Sequence, residues 1–490
     1  MRAVVLAALL LAKSPTSGLA ATLSATPAQT FSAIGGSGAW WPNDLFNFPD
    51  AVRQNLSTLL FSQSGLGLSH YRYNLGSGGV GVTVPLHAPQ SFYVSPGVYD
   101  FTADPQGVHF MQQAAAHGIS SFTAFAISAP AQLTSNNLSC GGTFVPGTEA
   151  AYGTFIADVV SHFRSTGINI DFVSPMHEPD DSFAACTQEG MAVPIEQRAD
   201  VINAVFAALQ DQGLSDTVGI LADESSTVAL ASSESSAWLP SVADKVVAIA
   251  HHLYDYPDDS SYTSFVDTVQ SVAPGKATWM SDICCGLGAA DGTGRAYAQG
   301  FDPTITNALM SSGVMFQSFV LAGEPQFDFW TLVSSSLGCS PLEDALCTTT
   351  PNSVGWTDGL IYYDPAFATN NNFALYITKH FWTFKHFGNF IKPGSVLIDI
   401  PLVGDDVTQT MMAVSTSTTY NLILMNPTTT DSVLTLSFPD TVCAVSAFRT
   451  SETEDFATVA AATQDEGSTA WELPLQSMSL TTFTFNRAAC

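Results

Sequence analysis

Along this chain a small set of polar residues recurs directly after short apolar runs: Arg72 and Asn74, His177 and Glu178, Asp223 and Glu224, His251, His252 and Tyr254, Asp282, and Glu324. Carboxylates dominate the set, and one arginine and several histidines stand among them. Two carboxylates facing each other suit the hydrolysis of a glycosidic bond. One then protonates the leaving oxygen, and the other attacks the anomeric carbon or activates water. A carboxylate beside a guanidinium stays ionised, while one opposite it in a drier wall can keep its proton. Asp223, Glu224 and Glu324 are candidates either for the second carboxylate or for binding sugar hydroxyls. Consecutive residues of a strand point to opposite faces, so at most one of His251 and His252 lines a cleft. No pair of histidines at i, i+4 supports a zinc site, and neither a metal nor an organic cofactor is expected.

These residues need elements that bring them to one place. Strand-length apolar runs lie at Phe31 to Ile34, Gly67 to Asn74, Ser120 to Ala126, Asp171 to Met176, Val218 to Asp223, Val246 to His251, Ala277 to Ser281 and Val314 to Leu321. Between or after them come amphipathic stretches such as Pro105 to His117, Thr148 to Ser165, Glu196 to Gln212, Tyr262 to Val272 and Asn371 to Phe387. Strand and helix in alternation mean a parallel sheet, and this many units predict an α/β fold, a (β/α)8 TIM barrel. In such a barrel the reactive groups sit at the C-terminal strand ends, where the residues named above fall. From Gly388 to Asn486 the sequence turns to Thr, Ser and Val with period two, which predicts a C-terminal side domain, a β-sandwich over 388–490. The barrel is expected over 21–387, with 21–30 pairing with the side domain.

The stretch Val173-Ser174-Pro175-Met176-His177-Glu178-Pro179 resembles the fourth-strand motif of clan A glycoside hydrolases, in which Asn-Glu-Pro carries the acid/base. Within that clan the chain resembles glycoside hydrolase family 30, and most of all its endo-β-1,6-galactanase-like group. The supporting segments are Phe31 to Ser37 with Trp40-Trp41, Tyr71 to Gly76, Gln188-Glu189-Gly190, Trp279 to Asp282, and Tyr376 to Ser395. The resemblance implies that Glu178 is the acid/base, that Asp282 stands where the family has a nucleophilic Glu, and that Arg72 orients and neutralises it. It also implies that His252 or Tyr254 hydrogen-bonds the bound sugar, with Asn74 and His177 among the substrate-binding residues. Three departures accompany it: His177 replaces the family Asn, Asp282 is one methylene shorter than Glu, and Ile127 to Gln132 replaces a Trp-rich segment. The shorter side chain leaves an inverting outcome open. Of the tryptophans, Trp279 and Trp330 are expected at the cleft. Other β-glycanases, acting on xylan or β-1,6-glucan, are the alternatives within the class, and an inactive carbohydrate-binding barrel is the alternative outside it.

With 14 Lys+Arg against 43 Asp+Glu the net charge is −29, which repels polyanions and makes nucleic acid and anionic membrane poor partners. A neutral polysaccharide is not repelled. Residues 1–20 read as a secretory signal, so the protein is expected in the extracellular space. The 8 cysteines fit that compartment. Cys339 and Cys347 can close a short loop, Cys443 and Cys490 can staple the last part of the chain, and Cys140, Cys186, Cys284 and Cys285 can pair among themselves. Asn55 and Asn137 begin glycosylation sequons.

Overall fold

The computed structural model describes residues 19–401, 410–464 and 466–488. Residues 1–18 of the expected signal segment, and Cys490, lie outside the described residues.

A closed parallel barrel is formed by strands β1 (Ala33–Gly38), β2 (His70–Asn74), β3 (Ser121–Phe125), β4 (Ile170–Ser174), β5 (Gly219–Ser225), β6 (Val246–His252), β7 (Ala277–Asp282) and β8 (Gln326–Phe329). Each pairs with its chain neighbour, and β8 closes on β1. Helices such as Pro105–Ala116, Glu149–Ser165, Ile195–Asp211 and Asp259–Val272 connect them. This is the (β/α)8 TIM barrel the alternation predicts.

The eighth strand is not where its apolar run placed it. Val314 to Leu321 is helical, ending the helix Ile305–Phe316 and continuing through a wider turn over Gln317–Leu321. A run of apolar residues that short fits a buried helix as well as a buried strand. The true β8 reads Gln-Phe-Asp-Phe, and its polar residues point inward. Inside the barrel, Asp328 Oδ1 lies 2.6 Å from His70 Nδ1, and Gln326 Nε2 donates to Asp328 Oδ2 at 2.9 Å. His70 Nε2 reaches the Thr123 hydroxyl at 2.9 Å. Gly35 is required here, because a Cβ on it would sit 2.2 Å from Asp328 Oδ1. The stretch Asn371 to Phe387 is also split, into a strand Leu375–Ile377 and a helix Lys379–Phe390 that runs past Phe387.

Two antiparallel-rich sheets form the side domain. One includes Met411–Ser415, Thr419–Asn426, Cys443–Ser451 and Ser479–Asn486, and the other is built around Ser432–Ser437 and Ala470–Leu475. Leu422, Leu424, Leu434, Leu473, Trp471 and Phe483 fill the space between them. The N-terminal segment supplies an edge strand to each sheet: Leu19–Thr22 runs beside Ser432–Ser437, and Pro27–Thr30 beside Val396–Ile398. Cys140 pairs with Cys186, Cys339 with Cys347, and Cys284 with its neighbour Cys285. Cys443 is disulfide-bonded as well.

The helix Lys379–Phe390 joins barrel to sandwich. Its His386 is buried between the hydroxyls of Thr482, at 2.7 Å from Nδ1, and Thr450, at 3.0 Å from Nε2. Burial, with Lys385 adding to it, pushes the imidazole down from 6.5 to about 3. The unfolded chain therefore binds a proton that the folded one refuses. This contribution to stability is whole above about 6.5 and is lost, by about 1.4 kcal/mol per pH unit, as pH falls toward 3. His386→Gln is expected to lose stability less steeply than the wild type between pH 7 and pH 4, measured as the change in urea midpoint. Equal acid slopes in the two proteins would show that His386 is not the source.

Candidate active site

The polar residues converge at the C-terminal mouth of the barrel, around one arginine. Arg72 of β2 is 1% exposed. Its Nη1 donates to Asp282 Oδ2 at 2.9 Å and to the Ser37 hydroxyl at 2.8 Å. Its Nη2 donates to both oxygens of Glu224, at 3.0 and 2.9 Å. The ring of Phe125 stacks 4.1 Å from the guanidinium carbon. Burial works against the charge of Arg72, but Glu224 and Asp282 outweigh it and hold the guanidinium above its ordinary value. Burial would likewise raise Glu224, yet Arg72, a hydrogen bond from His177 and the His252 ring 3.7 Å away hold its carboxyl well below the usual range.

Two irregularities of the sheet aim these groups. Between β5 and β6, Asp223 pairs with Ala250 and Ser225 with His251, so Glu224 is an inserted residue, and its φ is 58°. Between β6 and β7 the register shifts after His251, which sets His252 opposite Asp282. Bulges of this kind re-aim side chains beside functional sites. Glu178 also has a left-handed backbone, with φ 46°, and its N–H donates to the Glu224 carbonyl at 3.0 Å. Such a conformation costs a non-glycine residue about 1–3 kcal/mol and persists where the surroundings impose it.

Glu178 faces the cleft, and its Oε1 accepts from His252 Nδ1 at 2.8 Å. Burial would lower His252, but Asp282, Glu178 and Glu224 hold it up at about 10, so the imidazole is protonated at neutral pH. His177 Nδ1 is 3.1 Å from Glu224 Oε2, and its ring lies 6.0 Å from that of Trp330. Tyr254 donates its hydroxyl to Asp282 Oδ1 at 2.7 Å and lines the cleft. Asp282 itself stands behind Tyr254, fully buried. His177, Glu224 and His252 present donor atoms within 4.8 Å of one another, an arrangement that could hold a metal ion. The positive charges that Glu224 meets there are the Arg72 guanidinium and the His252 imidazolium.

The other candidates lie elsewhere. Asp223 accepts from Arg198 at 2.6 Å. His251 points away from His252 and donates to Glu324 at 2.5 Å, and Glu324 precedes β8 rather than following it. Asn74 is buried, and its amide has no partner among the described residues. Trp279 does not reach the cleft. It is packed against Phe172, 5.0 Å away, with Leu221, Ala248 and Ala250, because it sits near the middle of β7. Trp330 does line the cleft, edge-on to Trp40 at 4.9 Å.

The cleft has a volume of about 520 Å³. Trp40, Tyr297 and Trp356 wall it, and Asp358 and the Cys284–Cys285 disulfide border it. Trp40 is stacked on His87 at 3.6 Å. None of these was among the expected substrate-binding residues: Tyr297, Trp356 and Asp358 come from loops whose course the sequence pattern does not encode, while Trp40 directly follows β1. The one available signal was position: Cys284-Cys285 follows Asp282 at the end of a strand.

The model of O-Glycosyl hydrolase family 30 matches residues 21–340. No curated protein sequence matches the chain. Among solved structures it is similar to a conserved exported protein from Bacteroides fragilis, at 18% identity over 96% of this chain and 100% of the other, with a TM-score of 0.76. It is similar to the catalytic domain of a family 30 xylanase C from Talaromyces cellulolyticus, at 20% identity over 96% and 100%, with a TM-score of 0.69. An endo-β1,6-glucanase is similar at 16% identity over 97% and 94%, with a TM-score of 0.68. The protein is thus a glycosidase built on a (β/α)8 barrel. It belongs to glycoside hydrolase family 30.

Removing Arg72 strands two buried carboxylates. Arg72→Met is expected to cost about 3–5 kcal/mol of stability, because unpaired buried charge is what it leaves behind. Adding Glu224→Gln to that variant is expected to recover part of the loss, read from urea midpoints of the two singles and the double. Strict additivity would show that the two side chains do not depend on each other.

Proposed function

We propose that this family 30 enzyme is a secreted β-glycanase that cleaves β-1,6-galactan by retaining double displacement. The observation that carries the mechanism is the placement of Glu178 in the cleft wall, with Asp282 gripped by Arg72 and by Tyr254, which lines the same cleft. Glu178 gives its proton to the glycosidic oxygen while the Asp282 carboxylate attacks the anomeric carbon and the leaving sugar departs as an alcohol. Glu178 then takes a proton from water, the water oxygen bonds to the anomeric carbon, and Asp282 is released. Tyr254 must yield Oδ1 of Asp282 to the sugar, and Arg72 keeps the other oxygen in place. His252 holds the Glu178 carboxyl in register through its Nδ1 proton. Trp40 and Trp330 offer flat apolar faces to the C–H side of a pyranose.

The sugar rests on the sequence resemblance to the galactanase-like group. Xylan and β-1,6-glucan are the other substrates to test, since a xylanase and a β1,6-glucanase are among the similar structures. Secretion is supported by the apolar N-terminal run, by the disulfides and by the exposure of Asn55 and Asn137.

Reducing sugar released from β-1,6-galactan, xylan and β-1,6-glucan tests this reading directly. Glu178→Gln is expected to lower kcat by about 100- to 10,000-fold, and Asp282→Asn by at least as much. Proton NMR of the first product should show the β-anomer, whereas an α-anomer would make the enzyme inverting. Release from none of the three polymers would overturn the reading. The pH profile gives a separate check. Glu178 must carry its proton for the first step, so the alkaline limb of kcat/KM follows loss of that proton, and His252→Gln, which takes a cation away from beside the carboxyl, should move the limb to higher pH. An unmoved limb would show that His252 does not act on the Glu178 proton.

A further inference from the structure

We propose that the Cys284–Cys285 disulfide, with Tyr297, Trp356 and Asp358, forms a sugar-binding subsite beside the cleavage point, the two sulfurs serving as an apolar platform for a pyranose ring. The inference rests on the glycanase reading of the same cleft and adds a group of contacts to it.

A disulfide between adjacent residues ties no distant parts of the chain together. The constraint on the unfolded chain that makes disulfides stabilising grows with loop length, so this one contributes least by that route. Its position is more telling. Both cysteines border the cleft, and the Tyr254 hydroxyl that donates to Asp282 lies 3.9 Å from Cys284 Sγ. The sulfurs are therefore separated from the reacting carboxylate by a single side chain.

Loops from three directions hold the pair in place. Tyr256 donates its hydroxyl to the Cys284 carbonyl at 2.5 Å. The Cys285 N–H donates to the Thr357 carbonyl at 3.0 Å, and the Ala298 N–H to the Cys285 carbonyl at 3.0 Å. Cys285 takes a left-handed φ of 63° within this grip. Such sulfurs are polarisable and nearly free of hydrogen-bonding demand, which suits the C–H face of a sugar.

The neighbouring groups complete the site. Tyr297 is 50% exposed, and its ring lies 5.5 Å from Trp356 and 5.5 Å from Tyr254. Asp358 is 8% exposed at the cleft border. Its Oδ2 accepts from Ser336 at 3.1 Å and its Oδ1 from the Tyr362 hydroxyl at 3.5 Å, and the Ser334 side chain bonds to the same carboxylate. A carboxylate offers about four acceptor positions, so these partners leave capacity for a sugar hydroxyl. An apolar platform and a carboxylate acceptor in the same cleft suit a neutral pyranose, whose C–H faces and hydroxyls make those two demands.

The test uses the full-length enzyme and whichever of β-1,6-galactan, xylan and β-1,6-glucan it cleaves. Cys284→Ala/Cys285→Ala and Tyr297→Ala are each expected to raise KM by about three- to tenfold, more than they lower kcat, with thermal midpoints kept. Asp358→Asn is expected to raise KM by roughly tenfold or more through a lost charge-assisted hydrogen bond. Unchanged KM in these variants overturns the subsite. If the cysteine double variant loses its thermal midpoint, Tyr297→Ala and Asp358→Asn decide the matter by the same split. If the wild type cleaves none of the polymers, the glycanase reading has failed rather than the subsite, which is then read from calorimetric binding of the same three polymers. Binding that the variants weaken supports it, and no binding overturns it.

Discussion

One buried guanidinium organises the mouth of this barrel. Arg72 sits on β2, yet it bonds to Glu224 from β5 and Asp282 from β7, so its charge ties together strands on opposite sides of the ring. A buried cation is tolerable only when anions and hydrogen-bond acceptors meet it, and buried carboxylates have the converse need. Arg72 and Asp282 are therefore mutually enforced, and the carboxylate proposed as nucleophile is oriented before any sugar arrives. His252, protonated among the same carboxylates, extends the arrangement to Glu178.

The charge cluster has a price in backbone conformation. Glu178 and Glu224 both adopt left-handed φ values, and a hydrogen bond from the Glu178 N–H to the Glu224 carbonyl locks the loop after β4 to the end of β5. The barrel beneath supplies rigidity, with His70, Thr123, Gln326 and Asp328 saturating each other's hydrogen bonds inside the ring. Above it, loops carry the aromatic side chains that wall the cleft. Rigid polar floor and apolar walls are the division of labour a neutral sugar chain requires, since its hydroxyls and its C–H faces make opposite demands.

Much of this was legible in residue order. Seven of the barrel strands lie in or beside the apolar runs that predicted them, and the residues after the second, fourth, sixth and seventh strands do meet. The eighth was hidden because β8 turns Gln326 and Asp328 into the barrel, where they look like surface residues in a sequence. The same polarity made the apolar helix over Val314 to Leu321 resemble a strand. Trp279 was misplaced for a related reason: proximity to Asp282 in sequence does not say how far down the strand a side chain lies.

The sequence by itself determined the alternation of strand and helix, the carboxylates and arginine at strand ends, and the change to a β-rich C-terminal region. Those are properties of period and residue type, which local physics reads directly. Tertiary structure decided the rest. A one-residue bulge chose Glu224 as the partner of Arg72, a register shift brought His252 opposite Asp282, and loop closure placed the Cys284–Cys285 disulfide and Asp358 at the cleft. Each depends on packing between segments far apart in the chain, and no spacing within one segment can encode that.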